Sequence, residues 1–132
     1  MGIWHGEKGR KPTGGLIHEH RKKRKYELGK LPTLPKLGKE SREIVRTKGG
    51  GRKVRMRKIE FANVLDASKT FVKKVKILDV IKNPANPQLV RSKTITKGTI
   101  IKTELGNARV TSRPTQHGVV NAVAIQENEK SK

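Results

Sequence analysis

Residues 99–112 read TIIKTELGNARVTS, and this stretch decides the fold. Two runs rich in β-branched residues, Thr99 to Leu105 and Ala108 to Ser112, flank the pair Gly106-Asn107. A Gly-Asn step between such runs predicts a tight β-hairpin, because both residues tolerate the positive φ that hairpin turns demand. Further short strands are expected on either side, around Ser92 to Thr96 and Val119 to Ile125. They are separated by Gly98 and by Pro114-Thr115-Gln116-His117-Gly118.

Upstream the same alternation recurs. In Thr70 to Lys82, Val75 and Ile77 fall on one face of a strand, with Lys74 and Lys76 on the other. Val54 and Met56 alternate with Arg55 and Arg57. Ile59 and Phe61 continue the pattern after a one-residue phase change at Lys58, as a bulge produces. Asp66-Ala67-Ser68-Lys69 is expected to turn between these two runs. Asn83-Pro84-Ala85-Asn86-Pro87 reads as a loop followed by one helical turn through Val90. Lys39 to Thr47 reads as a short helix passing into a strand, interrupted by Gly49-Gly50-Gly51. Short strands with turns every 8 to 12 residues predict an all-β body, a small barrel-like or sandwich arrangement of antiparallel strands.

From Met1 to about Gly38 the apolar residues are scattered among Pro12, Pro32, Pro35 and several glycines. Such a segment buries too little apolar area to offset its ordering entropy, so an extended basic arm is expected there. The expected organisation is an arm over 1–39, the β-body over 40–127 and a frayed polar tail over 128–132.

Charge sets the class of partner. The chain has 132 residues, 32 Lys plus Arg against 11 Asp plus Glu, and a formal net charge of +21. Residues 1–60 carry 19 basic and 6 acidic side chains, residues 61–132 carry 13 and 5. Self-repulsion of this size opposes compaction and is relieved by a polyanion, of which nucleic acid is the densest common one. Hydrophobic residues make up 32% and aromatics 3%, enough for one modest core. The lack of cysteine excludes disulfides, thiolate catalysis and thiolate zinc sites. No apolar stretch approaches the ~20 residues of a membrane-spanning helix, and the N-terminus has no apolar secretion signal. A soluble, unsecreted protein without membrane association is therefore expected, compatible with a reducing cytoplasm.

Within Arg10 to Gly29, RKPTGGLIHEHRKKRKYELG, five consecutive cations, Arg21, Lys22, Lys23, Arg24 and Lys25, would in an extended chain point around the backbone and meet more than one phosphate strand. Arg10 and Lys11 precede Thr13-Gly14-Gly15, whose bare backbone allows N–H groups close to phosphate oxygens. A flexible joint explains the glycine pair equally well. A second cluster holds Lys48, Gly49, Gly50, Gly51, Arg52, Lys53, Arg55 and Arg57. On a strand, Arg55 and Arg57 share a face opposite Val54 and Met56, and arginine's planar fork suits bidentate phosphate contact. Trp4 and Tyr26 stand in polar surroundings, where they are expected to dock either on RNA, stacking on splayed bases, or on the β-body. Phe61 and Phe71 are expected in the core.

These residues carry a resemblance. Arg10, Thr13-Gly14-Gly15, Lys22-Lys23 and Lys25-Tyr26-Glu27-Leu28-Gly29 resemble the signature of the e-type family of small-subunit ribosomal protein number eight, found in archaea and eukaryotes. The likeness extends through Lys48 to Arg55, Asn83 to Asn86, Ile95-Thr96-Lys97-Gly98 and Leu105 to Pro114, nearly the whole chain. Ile17-His18-Glu19-His20 departs from the basic or small residues expected there. The resemblance implies ribosomal RNA of the small subunit as ligand, with Lys97 and Arg113 added to the contacts. It also implies neighbouring ribosomal proteins as partners, a β-rich body, an archaeal rather than eukaryotic length, and no catalysis.

The residues agree that no enzyme is expected: paired carboxylates in an apolar setting, a nucleophile motif and a GxxxxGK[ST] phosphate loop are all missing. His18-Glu19-His20 has no second cluster of ligands, so no metal, cofactor or small-molecule substrate is expected. The rival readings are an assembly factor sharing this domain, a DNA-compacting protein and an RNA-processing enzyme.

Overall fold

The alternating runs form strands, as their period of two requires. The computed structural model describes residues 2–7, 9–66 and 71–125 and has two units, Met1–Pro32 and Thr33–Lys132.

In the first unit β1 (Ile3–Trp4) pairs antiparallel with β2 (Leu28–Gly29), and a 3-10 turn over Lys25–Glu27 leads into β2. Two glycines make room for the rings beside this pairing. A Cβ at Gly6 would stand 2.1 Å from the Trp4 ring and one at Gly29 1.9 Å from His5 Nε2. Neither distance can be met by a side chain, so only glycine lets these rings lie down on the backbone.

The second unit holds β3 (Lys36–Leu37), β4 (Ser41–Arg46), β5 (Arg52–Ile59), β6 (Phe61–Leu65), β7 (Val72–Lys82), β8 (Ile100–Thr103), β9 (Gly106–Val110) and β10 (Asn121–Ala124). Strands β10, β6, β7, β8 and β9 close into a five-stranded barrel, antiparallel except for the parallel pair β10 and β6. Strands β3, β5 and β4 form a second sheet, and β5 runs into β6 through Glu60 alone. Two single-turn helices, α1 (Gln88–Arg91) and α2 (Pro114–His117), fill connections.

The barrel core is aliphatic. Val64, Val75, Ile77, Ile101, Val110 and Ala122 point inward from the strands, joined by Met56, Ile59 and Ile95. A barrel of five strands has an interior only wide enough for side chains of this size. That explains a correction: Phe61 is 37% exposed and Phe71 70%, whereas the sequence pattern assigned both to the core. The inward positions of β6 belong to Ala62 and Val64, one residue out of phase with Phe61.

Other expectations held in part. The pairing of β4 with β5 shifts register between Ser41 and Arg42, opposite Met56 to Lys58, where the phase change predicted a bulge. Lys39–Thr47 contains no helix: Ile44 and Val45 are β-branched and pair across to Val54 and Lys53. Ser92–Thr96 is not a strand beyond an isolated bridge from Thr94 to Lys36. Its polar side chains are bonded instead, Ser92 Oγ with Thr94 Oγ1 at 2.8 Å and Thr96 with Asn83 and Thr99. The turn expected at Asp66–Lys69 falls mostly on Ala67–Thr70, and the tail on 128–132, both outside the described residues.

Candidate nucleic-acid interface

Arg10 to Leu16 forms a hairpin tip. Lys11 N–H donates to the Gly15 carbonyl at 2.8 Å and Gly14 N–H to the Lys11 carbonyl at 2.9 Å, while Ile17 N–H reaches the Gly9 carbonyl at 3.1 Å. Pro12 and Thr13 occupy the apex, where proline's fixed φ suits a turn. Gly14 has a φ of 87°, a conformation that L side chains rarely adopt. The Arg10 guanidinium donates to the Gly14 carbonyl at 2.8 Å, bracing the tip from one side. Lys11, Thr13 and Gly15 are exposed.

The pentabasic run is not one extended comb. Arg21 folds back, donating to the Tyr26 hydroxyl at 2.8 Å and pairing with Glu27. Lys23 stands 5.1 Å from the centroid of the Trp4 ring and 3.9 Å from the Glu19 carboxylate. Glu27 organises this unit: its carboxylate accepts from the Arg24 backbone N–H at 3.2 Å and from the Trp4 indole N–H at 3.4 Å. The Arg24 N–H, then Trp4 and Arg21, hold the Glu27 carboxyl below its ordinary range, although partial burial opposes this. Tyr26, then Glu27, raises the Arg21 guanidinium further above its already high value. Trp4 is half-buried within this cluster, whereas Tyr26 is 66% exposed. Among the described residues, Lys22, Arg24 and Lys25 make no side-chain ion pair and project into solvent.

Ile17 to His20 line a cleft with Trp4, His5 and Glu27. Among the described residues no three His, Cys, Asp or Glu side chains gather as a metal site would require.

The second basic cluster caps the β4–β5 hairpin. Thr47 N–H donates to the Gly51 carbonyl at 2.7 Å, and Lys48–Gly50 form a 3-10 turn in which Gly49 and Gly50 have φ of 75° and 80°. Two successive left-handed residues require glycine. Pairing sets Arg46 directly opposite Arg52. Like charges in that relation repel, and neither has an ion-pair partner among the described residues. With Lys48 and Lys53 they make an exposed cationic end. Arg46 was absent from the residues singled out in the sequence; the signal for it was the symmetric spacing of Arg46 and Arg52 about the glycine turn.

Toward the barrel the charge is partly matched. Arg57 donates Nε to the Glu43 carboxylate at 2.8 Å, with a second contact from Nη2 at 2.8 Å, which raises its guanidinium further. Arg55 is half-buried, while Val54 packs against Gly118, 3.0 Å from where a Cβ would stand. Lys97 is displayed on the turn between Thr96 and Thr99, braced by Asn83 through Thr96. Arg113 stands at the start of α2, its N–H donating to His117 Nδ1 at 3.2 Å.

The family model for ribosomal protein S8e matches residues 4–125 of this chain. The chain belongs to the ribosomal protein S8e family. Three archaeal relatives, each named small ribosomal subunit protein eS8, agree along almost the full length. That of Hyperthermus butylicus is 48% identical over 128 residues, 96% of this chain and 94% of its own. That of Ignicoccus hospitalis is 52% identical over 128 residues, 96% and 98%, and that of Staphylothermus marinus 45% over 127 residues, 96% and 99%. S8e proteins are structural ribosomal proteins rather than enzymes, in line with the sequence, and both cationic clusters fall inside the matched residues.

Proposed function

We propose that this protein is a structural constituent of the small ribosomal subunit that binds and stabilises folded ribosomal RNA, working in the cytoplasm on the ribosome beside neighbouring ribosomal proteins. The observation that carries this reading is the exposed cationic end at Arg46, Lys48, Arg52 and Lys53, where the fold sets two arginines against each other with no acid among the described residues to relieve them. An RNA phosphate between them converts that repulsion into two charge-assisted contacts. Residues 1–39 would act as the arm that enters the RNA, with Lys22, Arg24 and Lys25 as its free cations and Lys11, Thr13 and Gly15 as its exposed tip. Residues 40–127 would anchor the arm and add Lys97 and Arg113 as contacts. Recognition would be of backbone and shape, because A-form major grooves are too narrow for side chains to read.

Titrating the full chain against small-subunit ribosomal RNA over a salt series tests this. Replacing Lys22, Arg24 and Lys25 together by Ala should flatten the slope of log affinity against log salt by about 2 to 3, at roughly 0.7–0.9 per phosphate contact. An unchanged slope would remove the arm from the interface. Stoichiometric retention in salt-washed small subunits distinguishes a structural component from an assembly factor.

A further inference from the structure

The outer face of the barrel carries an aromatic that the core does not use. Phe61 opens β6 and lies directly opposite Lys76 of β7, with Lys74 two pairs further on and so on the same face, opposite Asn63. The Lys74 ammonium stands 4.9 Å from the centroid of the Phe61 ring. On the neighbouring strand Asn121 pairs with Asn63, and the two side-chain amides meet at 3.2 Å. Lys76 reaches Glu60 at 3.6 Å, leaving Lys74 without an ion pair among the described residues. One patch thus combines an exposed ring, two ammonium groups and a pair of amides on three adjacent strands.

We propose that this patch captures an unpaired RNA nucleotide, the base stacking on Phe61, its phosphate taken by Lys74 and its polar edge facing the Asn63 and Asn121 amides. It rests on the RNA-binding reading and adds a subsite to it. The chemistry favours a nucleotide over a protein segment. A protein hot spot needs an apolar surround that excludes water, whereas the cross-strand neighbours of Phe61 and Asn63 on this face are lysines and an amide. Single-stranded nucleic acid is bound by this combination of ring and cation, tolerant of sequence because every base has a π-face. In the free protein the Lys74 ammonium rests over the ring. A solvent-exposed contact of that kind is weaker than base stacking, so an arriving base displaces it. The freed ammonium then lies beside the phosphate of the same nucleotide.

The test compares two probes on the full chain, a short single-stranded polyadenylate and a fully paired RNA duplex of equal charge. Phe61→Leu keeps an apolar side chain on the strand but cannot stack. It should weaken binding of the single strand about 5- to 150-fold and leave the duplex unaffected, while Phe61→Tyr retains both. If Phe61→Leu binds both probes as the wild type does, or loses both equally, the subsite is wrong while RNA binding stands. Unchanged binding of both probes with weakened retention on salt-washed small subunits would assign the face to a neighbouring protein and overturn the proposal. Wild-type protein that binds neither probe would overturn both readings.

Discussion

The two units of this chain are held together by opposite means. The barrel is closed by aliphatic side chains that need no partner beyond one another. The N-terminal unit is built around one carboxylate, Glu27, and one indole, Trp4, with glycines supplying the room. A core of Val and Ile is stabilised by apolar area removed from water, which neither titrates nor is screened by salt. A cluster of exposed ions and a ring depends on both conditions. The element richest in cations is therefore the one whose internal order is most easily retuned by a polyanion, and the contrast can be broken by mutation.

The largest effect belongs to the barrel. Ile101 is fully buried, and Ile101→Ala should cost about 2–5 kcal/mol, the lost transfer energy plus the cavity. The urea midpoint followed by β-type circular dichroism should fall accordingly. An unchanged midpoint would mean that Ile101 lies outside the cooperative core and that the barrel is not held in the way described.

An intermediate effect separates the N-terminal unit. Its carboxylate has a depressed pKa, so the charged form is favoured by the fold. The stabilisation is present in full above the ordinary carboxylate range and is lost as pH falls through the folded value. Trp4 is the only tryptophan, so its emission reports this unit alone. Emission should change as pH falls below the ordinary glutamate range. In Glu27→Gln that acid change should vanish. A Gln variant that titrates like the wild type would show that another group governs the Trp4 environment.

What the sequence made legible follows from the range of each interaction. The β8–β9 hairpin is local, and alternation with Gly-Asn locates it. Even there the turn proper is Glu104-Leu105, with Gly106 and Asn107 opening β9. Gly106 takes a φ of 113° while its carbonyl accepts from the Thr103 hydroxyl at 2.8 Å. Barrel closure was not legible, because the parallel pairing of β10 with β6 joins Asn121 to Asn63, and no periodicity carries that information. Phe61 was misassigned because alternation gives the period of a strand, not its phase across a bulge. Of the candidate site, the cationic residues were plain from composition. Which of them the fold consumes was not, since Arg21 and Lys23 are spoken for by Tyr26, Glu27 and Trp4, residues whose meeting depends on β1 finding β2.

The smallest expected effect is the most discriminating, because it separates two meanings of one glycine pair. Gly14 has a left-handed backbone and donates to Lys11, so the fold itself accounts for it. Gly15 does not share that conformation, and nothing lies within 4 Å of the position a Cβ would take. Gly14→Ala should therefore loosen the tip by about 1 kcal/mol. Gly15→Ala should leave stability within about 0.5 kcal/mol, as for an ordinary surface site. If bare backbone at Gly15 approaches a phosphate, that silent substitution should still weaken RNA binding, because its methyl group holds the phosphate away. Equal RNA affinity for Gly15→Ala and the wild type would reduce the pair to a turn glycine and its exposed neighbour. The contacts of the arm would then rest on its side chains, Lys11, Lys22, Arg24 and Lys25 among them.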